Sequence, residues 1–277
     1  MNTKQIVVIV SVVALMGVLL ARPIKGLVTE DKGTKASTTA ESSSAFNFKS
    51  VSDITKQSIN PGLAQEITAL EEKAEKASGD EKLALLEQLA KKWDDLAKYA
   101  PQGFIYEEMA KISPKFEYWL KAGDAYRSAY TNLQDTAMAA ELNRLAIQSY
   151  EKATELDGNS LDAKTGLGAA MVTGTNNPMA GIALLREVVE KDPKNIQANK
   201  TLGLFSLQSR QFDKAIERFK TVVELKPDAE SYFYLATGYE NIGLKNEAIA
   251  AFQKSKELAA DPTLSQFIDK RVEELSK

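Results

Sequence analysis

Beyond residue 60, apolar residues return every three or four positions, the period of a helix with one buried face. In 61–76 the stripe is Leu63, Ile67, Leu70 and Ala74. In 80–99 it is Leu85, Leu86, Leu89, Trp93 and Leu96, and a shorter piece carries Ile105, Met109 and Ile112. At the C-terminal end, Leu264, Ile268, Val272 and Leu275 form one stripe. That segment opens on Asp261 as N-cap and Pro262 at the first helical position. The pattern predicts an all-α protein. Abundant Ala, Leu, Glu and Lys, with only 15 Gly and 8 Pro, agree with it.

A longer period lies over the helical one. Ala215 and Ala248 are 33 residues apart, as are Phe219 and Phe252, and Leu202 and Leu235. One step upstream, Leu185, Val188 and Pro193 precede Phe219, Val222 and Pro227 by 34. Gly181 takes the slot of Ala215 and Ala248. Small, aromatic and proline slots kept in order at this period mark stacked helix pairs, an α-solenoid.

The slots resemble the tetratricopeptide repeat family over about 116–260. The third repeat, 196–229, carries Leu202, Gly203, Phe212, Ala215, Phe219 and Pro227. The fourth, 229–260, carries Tyr232, Leu235, Ala236, Tyr239, Gly243, Ala248 and Phe252. The second, 161–195, carries Leu167, Gly168, Met171, Gly181, Leu185 and Pro193. The first opens with Trp119, Ala122, Gly123 and Tyr126 and resumes at Ala146, Tyr150 and Ala153, with about 11 residues added between its halves. The addition lengthens either its helices or its loop. The resemblance implies antiparallel pairs, with Gly203, Ala215 and Ala248 permitting close approach and Phe219 and Phe252 filling the space between helices. Arg210 stands in a turn slot that holds Gly243 one repeat later. Arginine adopts positive φ poorly, so this turn is expected to differ. The helix over 261–275 caps the array, and the helices of 61–115 extend it, although their spacing departs from the 34-residue template.

The N-terminus is of another kind. Ile6–Ala21 runs 16 residues without a charge between Lys4 and Arg22. It is about 24 Å long as a helix. It reads as an uncleaved signal-anchor transmembrane segment within 1–25, with a cleaved export signal as the alternative. Flanking Lys and Arg taken alone keep the body cytoplasmic. The short basic tail before an apolar run favours export, which places the body on the extracytoplasmic (periplasmic) side of an inner or cell membrane. Residues 26–60, rich in Ser, Thr, Lys and Ala, read as a flexible linker. Phe46–Ile54 is an apolar island within it, either loose or a docking segment. Residues 61–115 are repeat-like helices, and 116–277 are the array with its cap.

Charge and composition remove several functions. Residues 51–277 hold 29 Lys and Arg against 35 Asp and Glu, a net of −6. That balance disfavours nucleic acid, whose phosphates need clustered Lys and Arg. With no Cys and no His, Cys/His zinc sites, disulfides and Ser-His or Cys-His catalytic pairs are excluded. Gly166–Met171, "GLGAAM", begins like a dinucleotide fingerprint but follows no strand, so helix packing is the reading. Ser149 and Lys152 form one S-x-x-K, with Tyr150 between them in a core slot. Adjacent carboxylates, Asp94 with Asp95 and Glu107 with Glu108, diverge around a helix and read as solvated surface. No cofactor, metal, catalytic residue or small-molecule substrate is expected.

What remains is the concave face, lined in this family by the first helix of each pair. By register it is formed by Thr165, Ala169 and Val172 in the second repeat. The third repeat adds Lys200, Leu204, Leu207 and Gln208, and the fourth adds Phe233, Thr237 and Asn241. Lys200 matches one basic slot of the family's C-terminal-carboxylate clamp. Leu204 stands where that clamp needs asparagine, so binding of chaperone tails is disfavoured. Leu204, Leu207 and Phe233 suggest a groove for a helix or hydrophobic peptide. The alternative is that the N-terminal or capping helices fill it. The function expected is a membrane-tethered scaffold or assembly factor that binds a protein or peptide partner without catalysis. A structural homo-oligomer packing through the solenoid ends, or a carboxylate-dependent enzyme subunit, are the competing readings.

Overall fold

The computed structural model describes residues 46–277 except positions 132, 134, 175 and 176. Among the described residues every regular element is a helix. Four form an N-terminal group: α1 (Phe48–Lys56), α2 (Pro61–Lys76), α3 (Gly79–Asp95) and α4 (Tyr99–Ile112). Four antiparallel pairs follow: α5 (Phe116–Thr131) with α6 (Thr136–Leu156), α7 (Leu161–Gly174) with α8 (Pro178–Lys191), α9 (Ile196–Gln208) with α10 (Phe212–Leu225), and α11 (Ala229–Asn241) with α12 (Lys245–Leu258). A last helix, α13 (Pro262–Leu275), packs on α12. Each helix touches the next, and the first helices of successive pairs also touch: α5 with α7, α7 with α9, α9 with α11. This is a solenoid with one face made of first helices.

Local chemistry sets the boundaries. Asn195 Oδ1 accepts from the Ala198 N–H at 2.9 Å and caps α9. Asp228 Oδ1 accepts from the Ser231 N–H at 2.8 Å and caps α11. Asp261 caps α13, with Pro262 at its first position, as the sequence predicts. The left-handed turns Ser209–Arg210–Gln211 and Ile242–Gly243–Leu244 are alike. Arg210 adopts φ 58° and Gly243 φ 80°. The expected difference between them does not occur. The tight connection to α10 imposes positive φ on arginine at a cost of about 1–2 kcal/mol.

The small-residue slots work sterically. A Cβ on Gly203 would stand 2.8 Å from the Phe219 ring. The Tyr150 ring lies between two glycines, with a Cβ on Gly123 falling 2.7 Å from it and one on Gly166 2.3 Å. Tyr150, Phe219 and Phe252 are fully buried. "GLGAAM" is a packing element: Gly168 meets Leu185 and Gly181 across the α7–α8 pair. The added residues of the first repeat go mainly into α6, which has 21 residues where α8, α10 and α12 each have 14.

Two features differ from the sequence reading. Phe48–Lys56, inside the stretch read as flexible linker, is helix α1. Asn47 and Ser50 close a capping box, Val51 is buried, and Lys56 pairs with Glu71 of α2 at 2.7 Å. Tertiary contacts, more than intrinsic propensity, account for a 9-residue helix. The predicted spanning segment, Ile6–Ala21, and the linker residues 26–45 lie outside the described residues. Among the described residues no helix is long and apolar enough to cross a membrane.

Candidate binding hollow on the first-helix face

The first helices of the four pairs enclose a hollow of about 590 Å³. Arg127, Tyr130 and Thr131 come from α5, and Ala169, Val172 and Thr173 from α7. Helix α9 adds Gln197, Lys200, Thr201, Leu204, Phe205 and Gln208; α11 adds Glu230 and Tyr234; Phe219 of α10 closes the floor. Every lining residue thus comes from the repeat array, and neither α1 nor α13 contributes one.

Apolar and polar groups are sorted within it. Leu204 packs against the cluster built on Phe219, Leu235 and Phe252. Tyr234 lies over Phe219, ring centroids 5.3 Å apart. The cation of Lys200 is shared between Asp228 at 3.3 Å and Glu230 at 3.2 Å. Tyr130 Oη and Thr173 Oγ1 are 3.5 Å apart across the α5–α7 contact. On α5 a buried chain of bonds sets one side chain: Tyr150 Oη donates to Asp124 Oδ1 at 2.7 Å, and Arg127 Nε donates to Tyr150 Oη at 3.2 Å. Burial, reinforced by the Asp124 carboxylate, holds the Tyr150 pKa well above the usual tyrosine value. Tyr150 is therefore a neutral hydroxyl at any physiological pH, able to donate to one neighbour while accepting from the other.

The ten residues read from the sequence divide. Ala169, Val172, Lys200, Leu204 and Gln208 lie together on the hollow. Leu207 is half-buried in the cluster between α9, α10 and α11. Thr165 is buried and its hydroxyl donates back to the Leu161 carbonyl at 2.7 Å. Thr237 and Asn241 likewise turn onto their own helix, to the carbonyls of Phe233 and Thr237. Phe233 meets Phe252 at 5.6 Å and Phe267 of α13 at 5.8 Å. The capping helix takes the groove position of the last repeat, so the hollow ends before it.

Arg127 and Tyr130 are absent from the sequence reading, which took the register only from the second repeat onward. A signal was present: Arg127 precedes Val172 by 45 residues, the repeat of 34 plus the 11 inserted. Tyr234, Gln197 and Thr201 sit at slots the register did not assign to the concave face. Among the described residues no group of three or more acidic side chains is placed to hold a metal ion.

Residues 176–237 and 229–262 each match the tetratricopeptide repeat family. Among solved structures, MamA 41-end from Desulfovibrio magneticus RS-1 is 22% identical, with 66% of this chain and 97% of that one covered and a TM-score of 0.51. A MamA RS-1 double mutant is also 22% identical, covering 66% and 96% with a TM-score of 0.51. These two share the fold. A crystal structure of MamA protein is 26% identical over 63% of this chain and 90% of that one, with a TM-score of 0.48. No curated protein matches the chain.

Proposed function

Residues 176–262 belong to the tetratricopeptide repeat family, and from that premise we propose that the chain is a non-catalytic scaffold whose hollow receives a segment of another protein. The observation that carries this reading is the hollow itself, walled by the first helices of four successive pairs. An apolar floor of Leu204, Phe205 and Phe219 under polar edges is the arrangement expected of a peptide-binding groove. Its walls are packed helices, so they are set before a partner arrives and little ordering entropy is lost on binding. The same proposal makes Ile6–Ala21 a membrane anchor with the body outside the cytoplasm. The chain would then hold its partner at a membrane surface, as an assembly factor does.

A photo-crosslinking residue placed at Gln208, exposed at the edge of the hollow, tests this in cells. The full-length protein is expected to give discrete protein adducts from Gln208 and none of them from Arg186, which lies on α8 away from the hollow. Leu204→Glu puts a charge on the apolar floor and should cut the Gln208 adducts about tenfold, the equivalent of about 1.4 kcal/mol. A melting curve of the variant checks that the array is intact. Adducts unchanged in a folded Leu204→Glu protein would remove the hollow as the binding site.

A further inference from the structure

We infer that the segment received by the hollow carries an internal Asp or Glu side chain, which Arg127 engages, beside apolar side chains seated over Leu204 and Phe219. This rests on the reading of the hollow as a peptide site and adds the chemistry of its occupant. The argument is charge complementarity. Arg127 spends its Nε on the Tyr150 hydroxyl, and Tyr150, fully buried and bonded to Asp124, cannot swing away. The guanidinium is therefore oriented from behind. Among the described residues its two terminal nitrogens have no hydrogen-bond partner, and no carboxylate lies within ion-pair distance of it. The hollow's other cation is already answered, because Lys200 is held by Asp228 and Glu230. One positive fork is left over in a half-enclosed site.

A planar guanidinium with its four terminal N–H groups available matches a carboxylate in a two-bond arrangement, which is stronger and more directional than a lysine contact. The rest of the lining argues for one negative charge rather than two. Glu230 lies in the same hollow and would repel a doubly charged phosphate more than a single carboxylate. The body as a whole is acidic, so it does not draw acidic chains by its long-range field. The preference is local to Arg127.

The test starts from a displayed library of random dodecapeptides selected on the full-length chain. Enriched sequences are synthesised with both ends capped, which removes the terminal carboxylate as a source. Each is compared with its copy in which Asp or Glu becomes Asn or Gln. The acidic peptide should bind the wild type at least tenfold more tightly than its amide copy. Arg127→Gln should erase that difference, Arg127→Lys should keep part of it, and Arg186→Gln should leave it whole. If the acid preference survives in a folded Arg127→Gln protein, or if selected peptides show no enrichment in Asp and Glu, the inference is overturned. The reading beneath it fails in a different way. Binding that ignores Leu204→Glu rejects the hollow altogether, whereas binding that needs Leu204 but ignores Arg127 rejects only the carboxylate.

Discussion

Phe219→Ala lowers the unfolding free energy by about 3–5 kcal/mol, the cost of truncating a fully enclosed aromatic. Phe219 has no exposed surface. Its ring fills the space that Gly203 leaves open on α9, and Tyr234 of α11 covers it. The residue therefore joins three helices from two repeats, and its removal loosens both the pair and the junction with the next pair. Solenoid stability is close to a sum of repeat and junction terms, so a loss at a junction is felt along the array. Leu225→Ala, at the end of the same helix and 40% exposed, should cost well under about 1 kcal/mol. Denaturant unfolding followed by circular dichroism compares the two. Equal costs would mean that the aromatic slot is not the core of the repeat.

The second large effect has the opposite steric sense. Alanine replaces glycine in a helix interior with a gain of about 1 kcal/mol on propensity alone. At Gly166 we expect a net loss of about 2 kcal/mol, because overpacking a filled core costs about 1–3 kcal/mol and sometimes more. The added methyl would stand 2.3 Å from Tyr150 Cε1. The ring has no way out: Gly123 bounds it on the other side, and its hydroxyl is tied to Asp124 and Arg127. Tyr150→Leu removes the atoms in conflict. Gly166→Ala should therefore cost far less in the Tyr150→Leu background than in the wild type. A double-mutant cycle with no coupling would contradict the sandwich.

The repeats were legible in the sequence because their physics is periodic. A ring needs a missing side chain opposite it, so Gly203 with Phe219 and Gly123 with Tyr150 reappear at a fixed spacing. The signal weakens wherever a structure is not repeated. Helix α1 buries Val51 and Ser52 and relies on one capping box and the Lys56–Glu71 pair, none of which produces a stripe. The hollow was legible where the register ran on, at Ala169, Val172, Lys200, Leu204 and Gln208. It was misread at Phe233, since α13 behaves as the first helix of a further pair and spends Phe267 on that ring. Arg127 escaped notice because its orientation comes from Tyr150 and Asp124, and the lengthened α6 shifts Tyr150 away from the family spacing. Arg210 shows the limit of residue preference: the turn geometry overrode it.

The central claim is that a protein segment lies along the first-helix face. Hydrogen–deuterium exchange tests it most directly, on the full-length protein with and without the partner recovered from the Gln208 crosslink. The account predicts slowed exchange over α7, α9 and α11 in the complex, with α8, α10 and α12 little changed. Protection confined to those second helices, with the first-helix face exchanging as in the free protein, would contradict it.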